Sequence, residues 1–304
     1  TNVSLKDYTT IKIGGTCYAI FKPNNIKSLV QAYSYIILNK LDYFIIGNGS
    51  NMLISDDYHH FIFINLRGLN KIQVLNNENI ISVESGVMGN LLAKKISELG
   101  FSGVEFLAGI PGTIGGIIYM NAGAWEQNIS DKLISITYLD EFGKICIMKD
   151  IKNKGFGYRL SPFMKRKVII LSCEIKVKQN VNALSIYNNY MKLKKASQPL
   201  KSFSAGCAFK NPNGKKAWSL IKQSNSVLKI NDASVSNLHY NFLINESNAT
   251  FKDMYELLET IKKNVFNTFN IMLEEEWNQI FWECCEADLD DLECVLVDEE
   301  DKYA

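Results

Sequence analysis

The chain has 304 residues, 47% hydrophobic and 21% charged, ordinary for a globular protein with a core sufficient for two or three domains. No apolar run is long enough to span a bilayer, and "TNVSLKDYTT" lacks a signal peptide's basic-then-apolar order, so a cytoplasmic enzyme or binding protein is expected. The net charge of +1 hides ten acids against one base in residues 283–304; the remainder, with 32 bases and 22 acids, suits an anionic small molecule, while the absence of arginine-rich or aromatic-basic runs argues against nucleic acid.

In chain order, "LDYFIIGNGSNMLIS" (41–55) predicts a buried strand, a glycine and asparagine turn, and a second short strand. Inside it, "GNGSN" sets Gly47 and Gly49 around Asn48, ahead of Ser50 and Asn51. Glycines let such a turn aim several N–H groups at one anion, and Ser and Asn add side-chain donors. Met52 and the missing third glycine exclude a dinucleotide fingerprint, leaving a tight hairpin or a phosphate cradle. "FIFINL" (61–66) predicts another strand. "IISVESGVMGNLLAKKISELG" (80–100) predicts a strand, then a helix with Leu91, Leu92, Ile96 and Leu99 on one face, stopped by Gly100.

"AGIPGTIGGIIYMNAGAW" (108–125) spaces Gly109, Gly112, Gly115, Gly116 and Gly123 among apolar residues, with Thr113 and Asn121 as its sparse polar groups. It lacks the lysine of a P-loop. A segment so rich in glycine suits a flat aromatic cofactor bearing a pyrophosphate; a packed turn beside a helix is the alternative. "FGYRLSPF" (156–163) carries Arg159 after Tyr158, one of three arginines against thirty lysines. A guanidinium grips a carboxylate with two parallel hydrogen bonds, which an ammonium cannot. "KVIILSCEIKV" (167–177) predicts a strand, and the polar stretch 178–206 predicts a domain boundary near residues 180–200.

"SAGCAFKNP" (204–212) holds Cys207, which could be buried filler, a nucleophile, a metal ligand or a proton donor. The seven cysteines form no CxxC pair and only three histidines exist (59, 60 and 239), so neither a zinc site nor a disulfide framework is indicated. Thr250 and Asp253 form a capping box, opening a helix whose stripe is Met254, Leu257, Leu258, Ile261, Val265 and Phe269. "LEEEW" (273–277) offers Glu274, Glu275 and Glu276, either a solvated run or one inward catalytic carboxylate.

Together with "TTIKIGG" (9–15) and "VSNLHYNFLIN" (235–245), these motifs resemble the UDP-N-acetylenolpyruvoylglucosamine reductase family, in family order over residues 1–281. The chain is similar to the shorter of its two types. The resemblance implies an α+β protein: a two-part FAD-binding unit of the vanillyl-alcohol-oxidase (PCMH) type plus a C-terminal α+β substrate-binding domain. The implied divisions are 1–70, 71–185 and 186–281; residues 282–304 match nothing in the family, and their acidic composition predicts a disordered or loosely docked tail. It further implies FAD with NADPH as reductant, a UDP-sugar substrate and peptidoglycan synthesis as the purpose; the glycine segments hold no histidine or cysteine, so non-covalent FAD is expected, as is a monomer with no membrane or nucleic-acid partner.

By family position, Arg159 and Glu276 stabilise an enolate, and Cys207 stands where a serine usually donates the proton. No histidine partner or ligand cluster accompanies Cys207, which disfavours the nucleophile and metal readings. Tyr158 and Asn211 match substrate contacts; Gly47, Asn48, Gly49, Ser50, Asn51, Thr113, Gly115, Gly116, Asn121 and Gly123 match cofactor contacts. Departures from the family are "KLKKASQPL" in place of an arginine-rich stretch and Asn231 in place of a glycine. Another FAD-linked oxidoreductase acting on a small alcohol or sugar is the alternative, and a catalytically dead nucleotide-sugar binder a third.

Overall fold

The computed structural model describes residues 2–75, 79–212, 214–224 and 227–281; the expected acidic tail lies outside them. The chain opens with β1 (Val3–Ser4) and β2 (Thr16–Phe21), crosses through α1 (Ile26–Leu38), and returns as β3 (Tyr43–Ile46), β4 (Met52–Ile54) and β5 (Tyr58–Asn65). The first sheet has the order β1-β2-β5-β3, with β2 and β3 both parallel to β5. Asn25 caps α1 by accepting from Ser28 N, and Leu29, Tyr33 and Ile36 bury its inner face. That face meets Ile64 of β5.

A second sheet uses β6 (Ile72–Leu75) and β7 (Ile80–Glu84), then α2 (Gly89–Glu98), β8 (Phe101–Ser102), α3 (Ile114–Tyr119), the hairpin β9 (Gly123–Ala124) and β10 (Gln127–Asn128), and β11 (Leu133–Leu139), β12 (Ile145–Lys149) and β13 (Ile169–Lys176). Its order is β12-β11-β13-β7-β6, antiparallel throughout. Leu92 and Ile96 of α2 are buried as expected, but Leu91 and Leu99 are exposed. The inward stripe runs instead through Gly89, Leu92, Ala93 and Ile96, the i, i+3, i+4, i+7 rows of one face.

β14 (Lys178–Gln179) pairs with β8, and α4 (Ala183–Ser197) follows where the sequence reads as a polar boundary. Its buried positions are Ala183, Tyr187 and Lys194, too polar a set to register as an amphipathic stripe. It packs on α2 and on the 3-10 turn Glu105–Gly109.

The last sheet comprises β15 (Phe203–Cys207), β16 (Lys229–Ile230), β17 (Ala233–Val235) and β18 (Phe242–Asn245) in the order β15-β18-β17-β16, with α5 (Ala217–Gln223) and α6 (Phe251–Phe269) packed on it. The Thr250–Asp253 capping box is present, and Met254, Leu257, Leu258, Ile261 and Val265 are fully buried. Each such side chain contributes ~1.5–3 kcal/mol. The chain then returns: β19 (Asn278–Ile280) pairs parallel with β4, tying "LEEEW" to the segment after "GNGSN". Among the described residues, no helix is long and apolar enough to cross a membrane.

Candidate active site

"GNGSN" is not a hairpin, because β3 and β4 belong to different sheets. Gly49 sits at φ +59°, and a Cβ there would lie 2.0 Å from Tyr8 O. A Cβ on Gly47 would lie 2.3 Å from Thr113 Oγ1, so glycine here is what lets the two glycine segments touch. The backbone N–H groups of Asn48, Gly49 and Ser50, and the Ser50 hydroxyl, have no acceptor or partner among the described residues. Consecutive free amides around a left-handed glycine form a concave anion seat. This fits the pyrophosphate of a dinucleotide cofactor.

The flanking side chains are committed to holding that seat. Asn48 donates to Pro111 O (2.7 Å) and accepts from Arg67 Nη1 (3.2 Å). Asn51 donates to Glu276 O (2.8 Å), and its own carbonyl accepts from Asn278 N. Thr113 caps α3 by accepting from Gly116 N, and a Cβ on Gly116 would meet only Thr113 Oγ1, at 3.7 Å. The other residues of this segment have reasons within the fold. Gly115 donates to Ser85 O and packs on Ser85, while Gly123 leaves room for Gln127 O in the β9–β10 hairpin. Buried Asn121 donates to Gly157 O (2.7 Å) and accepts from Ser130 N.

Asn121 thereby bolts down the turn that presents Arg159. Gly157 and Leu160 exchange backbone hydrogen bonds, and Arg159 sits inside that turn at φ +52°, a strained conformation for a long side chain. From there Arg159 Nε donates to Glu276 Oε1 over 2.5 Å. Glu276 is the member of its run that reaches Arg159: exposed Glu274 pairs with Lys210, and Glu275, nearly as covered as Glu276, pairs with Lys262. The alternation arises because this segment lies against residues 208–210, with Lys210 N donating to Glu274 O and Glu276 N to Ala208 O. Burial raises the Glu276 carboxyl pKa, opposed by Arg159 and Lys210. Burial works against charge on Arg159, but the Glu276 carboxylate outweighs it and holds the guanidinium charged.

Cys207 ends β15 after a bulge at Ala205–Gly206, with Gly206 at φ +82°. A bulge re-aims the following side chain, and the charges of Glu276, Arg159 and Lys194 all act on the Cys207 thiol. Burial first, then Glu276, pushes it up to about 12, against the pull of Arg159 and Lys194. Such a thiol stays protonated, which suits a proton donor and not a nucleophile. Among the described residues no cluster could hold a metal. Half-exposed Tyr158 accepts from Asn211 N (3.2 Å), and Asn211 Oδ1 accepts from Ala217 N, leaving its NH₂ without a partner among the described residues. Lys194 escaped the sequence reading, because "KLKK" does not distinguish one buried lysine from its exposed neighbours.

Comparison with known proteins finds related sequences and a related structure. Residues 18–149 match a family described as an FAD binding domain, and residues 198–280 match the UDP-N-acetylenolpyruvoylglucosamine reductase C-terminal domain. The UDP-N-acetylenolpyruvoylglucosamine reductase of Prochlorococcus marinus (strain NATL2A) is 36% identical over 281 residues, covering 91% of this chain and 96% of that protein. Its counterpart from Fusobacterium nucleatum is 34% identical over 281 residues, covering 91% and 97%. The crystal structure of UDP-N-acetylenolpyruvylglucosamine reductase from Thermus caldophilus superposes with a TM-score of 0.75 at 31% identity, covering 91% of this chain and 97% of that one. The chain belongs to the UDP-N-acetylenolpyruvoylglucosamine reductase family.

Proposed function

We propose that Arg159, Cys207 and Glu276 are the catalytic residues by which this FAD-dependent oxidoreductase reduces the enolpyruvyl group of UDP-N-acetylglucosamine-enolpyruvate to UDP-N-acetylmuramate. FAD, NADPH as reductant and the role in peptidoglycan synthesis follow from the family. The roles of individual residues rest on the site. The observation that carries them is the part-buried Arg159–Glu276 ion pair, whose charges both act on the Cys207 thiol.

FAD, when bound, would supply the hydride chemistry between NADPH and the enolpyruvyl methylene carbon. Negative charge then develops on the adjacent carbon and its carboxylate, and Arg159, preorganised by Glu276, stabilises it. Cys207 donates the proton that quenches this enolate, and its raised pKa keeps the acid form populated at neutral pH. The amides of Asn48, Gly49 and Ser50 would hold the FAD pyrophosphate, with Thr113 and Gly116 facing the flavin and Gly47, Asn51, Gly115, Asn121 and Gly123 shaping its seat. Tyr158 and the NH₂ of Asn211 would contact the substrate. The division into 1–70, 71–185 and 186–281, supported by one four- or five-stranded sheet in each although β19 pairs back onto β4, and a monomer acting in the cytoplasm belong to the same reading.

The purified protein should be yellow, bleach anaerobically with NADPH, and recover its flavin spectrum on adding the enolpyruvyl sugar. Acid precipitation should leave the flavin in the supernatant, as non-covalent binding requires. A reduced flavin that the enolpyruvyl sugar cannot reoxidise would refute the assignment.

A further inference from the structure

The two segments that meet at the cofactor seat, residues 47–51 and 108–116, hold no charged side chain. A pyrophosphate is anionic, and amides alone bring no formal charge to it. Arg67 brings one to the edge of the seat. It stands in the 3-10 turn Leu66–Gly68 directly after β5, is exposed, and donates from Nη1 to Asn48 Oδ1 over 3.2 Å. The N–H of that same Asn48 is the first of the seat's three open amides. The turn is fixed to the seat a second time: Asn65, only 4% exposed, accepts from Arg67 N (3.1 Å) and donates to Gly47 O (3.3 Å). Close packing holds it from outside, since a Cβ on Gly86 would lie 2.0 Å from Leu66 O and 2.9 Å from Arg67 Cα. Arg159 pairs with Glu276 and Arg166 with Glu141, whereas Arg67 has no carboxylate partner among the described residues.

We infer that Arg67 is a further cofactor-binding residue, its guanidinium supplying the formal positive charge for the FAD pyrophosphate held by the amides of Asn48, Gly49 and Ser50. This rests on FAD lying in that seat. The guanidinium has five N–H donors, of which one meets Asn48. Its planar fork can keep that bond and still offer a parallel pair to phosphate oxygens, a combination one ammonium cannot reproduce. Asn48 is the link: Nδ2 holds Pro111 O of the second glycine segment and Oδ1 holds Arg67, so amides and cation are fixed relative to each other before the cofactor arrives. An exposed charge is screened by salt, which gives this contact a signature that a purely structural tether lacks.

The test follows FAD leaving the purified holoenzyme, read by flavin fluorescence after dilution, with melting temperature as the check on folding. Arg67→Gln, which keeps an N–H donor for Asn48 without the charge, should release FAD about ten- to a hundredfold faster, the usual contribution of a charge-assisted hydrogen bond. Arg67→Lys, charged but without the fork, should fall between that variant and wild type. Raising NaCl from about 0.05 to about 0.5 M should speed release from wild type and Arg67→Lys, and change Arg67→Gln much less. Wild-type release from Arg67→Gln, or a full salt response that survives in it, overturns the inference and leaves Arg67 a tether for Asn48. A raised KM for NADPH at unchanged flavin release overturns it too, because the guanidinium would then serve the other nucleotide. Wild-type protein that purifies without flavin would instead sink the cofactor reading itself.

Discussion

Arg159 Nε and Glu276 Oε1 meet at 2.5 Å across 117 residues of sequence, joining the turn between β12 and β13 to the segment before β19. The guanidinium is therefore aimed before any substrate arrives, at no cost in reorganisation during the reaction. Arg159→Lys should lose this aim while keeping the charge. Reoxidation by the enolpyruvyl sugar should weaken by about 3 kcal/mol of transition-state stabilisation, typical of one preorganised contact. Flavin reduction by NADPH, followed by stopped-flow absorbance, should change little. Equal losses in both half-reactions would mean general disruption.

Cys207→Ala should leave NADPH-driven reduction near wild type and slow reoxidation by about 10²- to 10⁴-fold, the usual contribution of general acid catalysis. Cys207→Ser should recover much of the rate, since a hydroxyl can donate in the same place. If Cys207 were only a small buried hydrophobe, alanine would be tolerated and serine would be the worse replacement.

Gly47→Ala should empty the cofactor seat. The new methyl would lie 2.3 Å from Thr113 Oγ1, so the two glycine segments must separate. The variant should elute from gel filtration with little bound flavin. Thr113→Ala in the same chain should restore part of it by removing the clashing oxygen. Full flavin content in Gly47→Ala would contradict the close approach.

His59 is fully buried, its Nε2 near Ser55 O (3.2 Å) and its Nδ1 without a partner. Burial lowers its pKa, so the folded state requires the neutral ring. The unfolded chain binds the proton more readily, with an ordinary value of about 6.5. This contribution to stability is present above that value and is lost as pH falls below it. Melting temperature should drop between pH 7.5 and pH 5.5, and His59→Leu should flatten the slope whatever its effect at pH 7.5. His239, also lowered by burial, should supply part of what remains. An unchanged slope in His59→Leu would exclude His59 as its source.

Asn231 stands at φ +48° and donates to Asp253 Oδ1 (2.7 Å), fastening its turn to the cap of α6. Asn231→Ala should cost about 1 kcal/mol, because a Cβ without a compensating hydrogen bond is strained in the left-handed region. Chemical denaturation would show it, and Asn231→Gly should be milder. An alanine as stable as wild type would remove both the strain and the hydrogen bond from the account.

Local chemistry decided what could be read directly from the residues. The Thr250–Asp253 box and its apolar stripe announce α6, because a cap and a 3.6-residue period are carried by neighbouring residues. Glycine-dense segments, and an arginine in a lysine-rich chain, marked the candidate site on similar grounds. Only the tertiary structure decided which glutamate of "LEEEW" reaches Arg159, since that depends on hydrogen bonds to residues 208–210. It also decided that "GNGSN" bridges two sheets, and that Lys194 alone among its lysine neighbours is buried, because Gly109, eighty-five positions earlier, leaves the space for it. Burial and charge pairing are set by what packs opposite a residue, and for these residues that partner lies far along the chain.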